Sequence, residues 1–199
     1  VNLYQKIKQD LVPILSEEKT IGFMLSGGFD SGLLLYICCK IKLEENLNSK
    51  FVLFTVPYED SLELAYGIND YIARKFNLLL NINTVGQPTM HHSIRIMFSI
   101  PDALKSCDYL LLGDTSNPPV KLDGDEPKRI RSTYANIVQP FFDYTKKDTV
   151  ALCIELNFTE LMKLSRSCAH PHQYVCNECW FCKERAWGFS QNMYIDNGI

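Results

Sequence analysis

No apolar run in the sequence reaches the roughly 18 residues that would cross a bilayer as a helix. An excess of basic charge is missing too: 20 Lys and Arg stand against 23 Asp and Glu, a formal charge of -3. A protein that coats nucleic acid needs a basic stripe, so a small-molecule partner is expected, with nucleic acid and membrane left out. There is no internal repeat and no low-complexity segment, which removes solenoids and disordered linkers. The start, Val1-Asn2-Leu3-Tyr4, has neither the basic flank nor the cleavage site of a secretory signal, so a cytoplasmic location is expected. The lack of an initiating methionine suggests a trimmed chain. Two common nucleotide signatures, Gly-Lys-Ser/Thr and Gly-x-Gly-x-x-Gly, do not occur after the first apolar run, where a nucleotide loop would be sought.

What is present suits one α/β domain over residues 1–199. The chain is 46% hydrophobic, enough for a sizeable core. Apolar spacing predicts a helix over Leu3 to Leu15, interrupted near its end by Pro13 and packed on the sheet edge. Ile21 to Leu25, Phe51 to Thr55, Leu78 to Ile82 and Tyr109 to Gly113 read as strands. Between them, Gly32 to Lys42, Ser61 to Phe76 and His92 to Phe98 read as helices. Thr145 can cap a later helix from Lys146 to about Leu156, and Thr159 to Met162 can start a further turn. Such alternation predicts a mostly parallel sheet with helices on both faces, Rossmann-like in character. Ligands in such sheets sit beyond the strand C-termini, so the loops after Leu25, Thr55, Asn83 and Gly113 are the places to search. The charged stretch from Thr115 to Ser132 is long for a connection, and reads either as an active-site lid or as a solvated loop.

Ser26-Gly27-Gly28-Phe29-Asp30-Ser31 follows the first strand and opens the next helix. Its backbone N–H groups can converge on an anion at the helix N-terminus, and pyrophosphate suits that geometry. Gly27 and Gly28 allow close backbone approach, while Ser26 and Ser31 add hydroxyl donors. Asp30 would repel phosphate directly but can hold a Mg2+ ion that bridges its oxygens. Four of the eight cysteines, Cys168, Cys176, Cys179 and Cys182, crowd into two C-x-x-C steps behind a seven-residue spacer. Four soft thiolates fill a tetrahedral Zn2+ shell and leave no open position, so a structural ion is expected to brace residues 165–189. His170 and His172 could replace one cysteine, and C-x-x-C-x-x-C can also ligate an iron–sulfur cluster. Cys38, Cys39, Cys107 and Cys153 lie in apolar segments and read as core residues.

The Ser-Gly-Gly-x-Asp-Ser loop resembles that of the ATP pyrophosphatase (PP-loop, adenine nucleotide alpha hydrolase) superfamily, which splits ATP into AMP and pyrophosphate. The C-terminal stretch, Leu161 to Cys168 followed by Cys176-Asn177-Glu178-Cys179-Trp180-Phe181-Cys182-Lys183-Glu184-Arg185 through Phe189, is similar to the zinc motif of the 7-cyano-7-deazaguanine synthase family of queuosine biosynthesis. The resemblance implies ATP, Mg2+ and Zn2+ as cofactors. It implies adenylation of 7-carboxy-7-deazaguanine and reaction with ammonia to an amide and then a nitrile, on a chain that can pair as a homodimer. By position it brings Thr55 beside the adenine and Gly113 to the nucleotide loops. Lys146, behind the Gln139-Pro140 segment, would reach the phosphates. Strand propensity alone also accounts for Thr55, and a solvated helix start accounts equally for Lys146. The family pattern is broken at Pro57-Tyr58-Glu59-Asp60, at Asp114-Thr115-Ser116-Asn117-Pro118-Pro119, and at Asn177 in place of Gly. The first two breaks fall where substrate is read, which leaves open another PP-loop enzyme acting on a nucleic-acid or protein acceptor, or a non-catalytic nucleotide sensor.

Overall fold

The computed structural model describes residues 2–16, 18–57, 61–86, 99–168 and 175–196. The helix expected over His92 to Phe98, most of the break at Pro57 to Asp60, and both His170 and His172 lie outside these residues. Five strands form a single sheet in the order β3-β2-β1-β4-β5, every pair parallel. These are β1 (Thr20–Met24), β2 (Lys50–Thr55), β3 (Ile82–Thr84), β4 (Tyr109–Leu111) and β5 (Ile137–Val138). The helices that lie wholly within the described residues are α1 (Leu3–Leu15), α2 (Phe29–Glu44), α3 (Ser61–Phe76), α4 (Lys146–Glu155), α5 (Leu161–Leu164) and α6 (Trp180–Ser190).

Strand alternation sorts side chains to two faces. Ile21, Phe23, Phe51, Leu53, Tyr109 and Leu111 join the larger core with α1, α2 and α3. Met24, Val52, Phe54, Leu110 and Leu112 join a smaller core under helical residues 99–103. The main core centres on α2, whose Leu33 to Cys39 are all buried because β1, α1, α3 and α5 enclose it. Its thiols Cys38 and Cys39, and Cys153 of α4, are buried, and burial pushes each of them above the ordinary thiol range.

Most expected elements form within a few residues of their predicted bounds, with three differences. The third strand is Ile82–Thr84 instead of Leu78 to Ile82. Its register is set by pairing with β2, and Leu78 and Leu79 instead follow Asn77 at φ 51° out of α3. α1 packs on α2 rather than on the sheet edge: Tyr4, Ile7, Leu11 and Leu15 form one buried stripe, and Tyr4 Oη donates to Glu44 at 2.6 Å. The loop from Thr115 to Ser132 is neither free nor merely solvated. Asn117 donates to Glu126 and to the Pro127 carbonyl, Ser132 N–H donates to Gln139, and Gly124 lies against Trp180 of α6.

Candidate active site

Strand order reverses between β1 and β4, since the chain runs outward from β1 through β2 to β3 and then returns to the far side of β1. A crevice therefore opens beyond the C-terminal ends of these two strands. The loop Ser26–Gly28 leaves β1 into this crevice, and α2 starts there with Gly28 as its N-cap. Gly27 has φ +77°, and a Cβ on it would come within 2.7 Å of Leu64 Cβ, so glycine is required by backbone and by space. Ser31 Oγ donates to the Gly28 carbonyl at 3.1 Å and lies 3.1 Å from Ser26 Oγ. Both hydroxyls thus line the turn. The first-turn N–H groups at Phe29, Asp30 and Ser31 have no partner within their own helix, as at any helix start. Gly113, just past β4, backs onto this turn; a Cβ there would lie 2.8 Å from Asp30 C and Ser31 N. It closes the wall behind the loop.

Asp30, in the first turn of α2, bonds to Lys146 Nζ and accepts from Thr149 Oγ1 at 3.0 Å. Lys146 and Thr149 share a face of α4 at i and i+3. The start of α4 is fixed by Asp148, whose carboxylate accepts from the Thr145 N–H at 2.8 Å and hydroxyl at 2.7 Å. Lys146 is 3% exposed, and its ammonium lies 5.6 Å from the Phe29 ring centroid. It is a buried lysine bonded to Asp30 beside the Ser26–Gly28 turn, not a solvated helix-start lysine. Thr55, at the end of β2, is fully buried; its carbonyl accepts from Val85 N–H, and its Oγ1 has no partner among the described residues. Thr115 Oγ1, beyond β4, is in the same condition. The structure therefore gathers Ser26, Gly27, Gly28, Phe29, Asp30, Ser31, Gly113 and Lys146 around one turn, with Thr55 at the neighbouring strand end.

Sequence reasoning missed Glu184 and Arg129. Glu184, on α6, is 2% exposed, and Arg129 Nη2 donates to both of its oxygens at 3.2 Å. Burial pushes its carboxyl above the usual range against the attraction of Lys146 and Arg129. Arg129 also donates to Asn117 and lies 5.5 Å from the Trp180 ring. Charges of alternating sign therefore run from the phosphate loop to the charged loop: Asp30, Lys146, Glu184, Arg129. The i, i+4 spacing from the apolar Trp180 was a signal that could have suggested an inward Glu184.

The four sulfurs of Cys168, Cys176, Cys179 and Cys182 lie within 4.8 Å of one another. Tetrahedral zinc at about 2.3 Å from each sulfur sets neighbouring sulfurs about 3.8 Å apart, and Cys176 and Cys182 Sγ are 3.8 Å apart. The donor set fits zinc. Cys179 caps α6, and its N–H donates to Cys176 Sγ at 3.3 Å. Burial pushes the Cys182 thiol up; it would raise the Cys176 thiol too, but the N–H groups of Cys179 and Glu178 and the thiols of Cys168 and Cys179 outweigh it there and hold Cys176 at about 6. A thiol so disposed is ready to ligate as thiolate. Asn177 has φ 58°, a conformation open to glycine and asparagine alike, so the replacement of Gly there leaves the turn intact. The cysteine segment also touches the phosphate loop directly, for Arg166 N–H donates to the Gly27 carbonyl at 3.1 Å.

Residues 127–193 match the model of the queuosine biosynthesis protein QueC family. That stretch carries Arg129, Lys146, Glu184 and all four clustered cysteines, while the Ser26–Ser31 loop precedes it. A comparison with curated proteins finds no match. Among solved structures, the U34-tRNA thiolase NcsA from Methanococcus maripaludis, described with its [4Fe-4S] cluster, is similar at 12% identity. The match covers 96% of this chain and 72% of that one, with a TM-score of 0.53. NMN synthetase from Francisella tularensis is similar at 13% identity over 96% of this chain and 87% of that one, also at 0.53. Both share the fold. These likenesses show a shared fold, and the family match, confined to the C-terminal third of the chain, agrees with the resemblance read from the cysteine motif.

Proposed function

From the QueC-type match of residues 127–193 and the PP-loop fold, we propose that this chain is an ATP-dependent enzyme that adenylates a carboxylate, that of a 7-carboxy-7-deazaguanine-type base. The observation that carries this reading is the meeting of Lys146, from the matched stretch, with Asp30 of the Ser26–Ser31 loop at the strand-order reversal. Two stretches more than 100 residues apart make one anion site.

A carboxylate oxygen of the acid attacks the α-phosphorus of ATP, and the bond to the β-phosphate breaks to release pyrophosphate. Ammonia attacks the acyl carbon through its lone pair and loses a proton. AMP leaves with the original carboxylate oxygen, giving the amide. A second adenylation, on the amide oxygen, followed by loss of AMP and the remaining nitrogen protons, gives the nitrile. The hydroxyls of Ser26 and Ser31, the first-turn N–H groups of α2 and the Lys146 ammonium would hold the departing pyrophosphate. Asp30, with 17% of its side chain exposed, retains a face toward the crevice from which it can ligate magnesium. Magnesium would neutralise charge that develops on the phosphates. Zinc at the four cysteines would be structural.

A thiolation enzyme on a nucleic-acid acceptor is the second reading, favoured by the fold shared with the archaeal thiolase. Sulfur spacing weighs against a four-thiolate [4Fe-4S] cluster on these cysteines, because thiolates on separate irons stand wider apart than thiolates on one shared ion. The test is incubation with magnesium, ATP, ammonium and 7-carboxy-7-deazaguanine, quantifying AMP, pyrophosphate and base products by mass spectrometry, with Asp30→Ala as control. Amide or nitrile formed with AMP, and lost in the control, is the expected result. AMP without a modified base would redirect the search to another acceptor.

A further inference from the structure

Glu184 takes no part in the chemistry above, yet it is a carboxylate with 2% exposure on the helix that packs against Lys146. Gly188, one turn further along the same face of α6, lies against Lys146: a Cβ there would come within 2.5 Å of Lys146 Cγ and 3.0 Å of its carbonyl carbon. The face of α6 that carries Glu184 therefore covers Lys146. We propose that Glu184 is a positioning residue that holds the Lys146 ammonium in the phosphate site when Asp30 turns to magnesium. The inference rests on the proposed ATP-binding role of this site.

Without nucleotide, Lys146 is neutralised by its bond to Asp30. A magnesium ion at Asp30 competes for that carboxylate. The ammonium, 4% exposed at its side chain, cannot lose its counter-charge without a large desolvation cost. Glu184 supplies the second carboxylate, and its own position is fixed by Arg129 of the charged loop, whose Nη2 donates to both of its oxygens. Arg185, the next residue of α6, is committed elsewhere, to Asp196, Ser165 and the Met162 carbonyl. The row Asp30, Lys146, Glu184, Arg129 thus lets Asp30 exchange partners while the lysine stays aimed at phosphate.

The experiment is calorimetric titration of MgATP into the full chain and its E184Q, E184D, K146M, K146M/E184Q and K146M/E184D variants, with metal content and circular dichroism recorded for each. E184Q is expected to bind MgATP at least about tenfold more weakly than wild type, with E184D recovering part of the loss. In the K146M background E184Q is expected to add nothing, because Glu184 acts through Lys146. Wild-type affinity in E184Q, or an equal loss with and without Lys146, overturns the proposal. Should E184Q lose its metal or its helix content, E184D carries the test. A loss of about threefold that vanishes in K146M/E184D supports the role, and an equal loss in both backgrounds overturns it. Failure of the wild-type chain to bind MgATP at all would instead remove the ATP reading, and this inference with it.

Discussion

At the scale of single residues, Gly27 concentrates the demands of the phosphate loop. An alanine there must hold φ +77° and place Cβ 2.7 Å from Leu64 Cβ. Left-handed backbone alone costs about 1–2 kcal/mol for a residue with a side chain. Gly27→Ala is expected to destabilise by at least that much in urea unfolding and to weaken MgATP binding; an unchanged midpoint would mean the turn can relax. Glu44 offers a pH test away from the site. Burial would raise its carboxyl, but hydrogen bonds from Lys40, Lys8 and Tyr4 outweigh this and hold it at about 2, below the ordinary 4.5. A carboxyl depressed in the folded state stabilises above its unfolded value and loses that contribution as pH falls through the folded one. Glu44→Gln should therefore cost no more than about 1 kcal/mol at neutral pH, since the pair is partly solvated. The gap to wild type should close between pH 4.5 and about 2 in parallel unfolding curves. The turn at Ser26–Gly28 between β1 and α2 was legible in the sequence because an apolar run, two glycines and a helix start follow one another there. Glu184 and Arg129 were not, because an acid among cysteines and an arginine in a charged run look the same whether buried or solvated.

At the scale of elements, legibility followed local signals. α3 and α4 were foreseen at their starts, where Ser61 and Thr145 stand before apolar spacing. β5 is two residues long and exists because Ile137 and Val138 find β4 beside them, a pairing no local pattern encodes. α6 escaped notice because cysteine ligands and buried charges replace the apolar stripe that marks a helix. Its attachment depends on Arg185. That guanidinium is 4% exposed and joins α6 to the Ser165 and Met162 carbonyls and to Asp196. Arg185→Ala strands two carbonyls and a carboxylate, and is expected to cost about 3 kcal/mol. Chemical unfolding measures it; a change below about 0.5 kcal/mol, typical of a surface site, would show that α6 is held by its cysteines alone.

At the scale of the whole molecule, the four-cysteine cluster and the Ser26–Ser31 loop are joined directly. Arg166, two residues before Cys168, donates to Gly27 in the loop, and Gly188, on the helix that Cys179 caps, packs against Lys146. Metal binding should therefore raise nucleotide affinity, and linkage requires nucleotide to raise metal affinity by the same factor. A ligand that binds only the folded form stabilises by RT ln(1 + [L]/Kd), about 2.7 kcal/mol at a hundredfold excess over Kd. Metal-loaded protein is expected to show this rise in Tm with MgATP, and to contain one zinc per chain with no visible absorption. After chelation, the same MgATP concentration should give a clearly smaller rise, because Kd has increased, and readdition of zinc should restore it. Lower Tm on chelation with an unchanged nucleotide-induced rise would separate the two sites, leaving the cysteines as a brace that stabilises the fold without shaping the phosphate site.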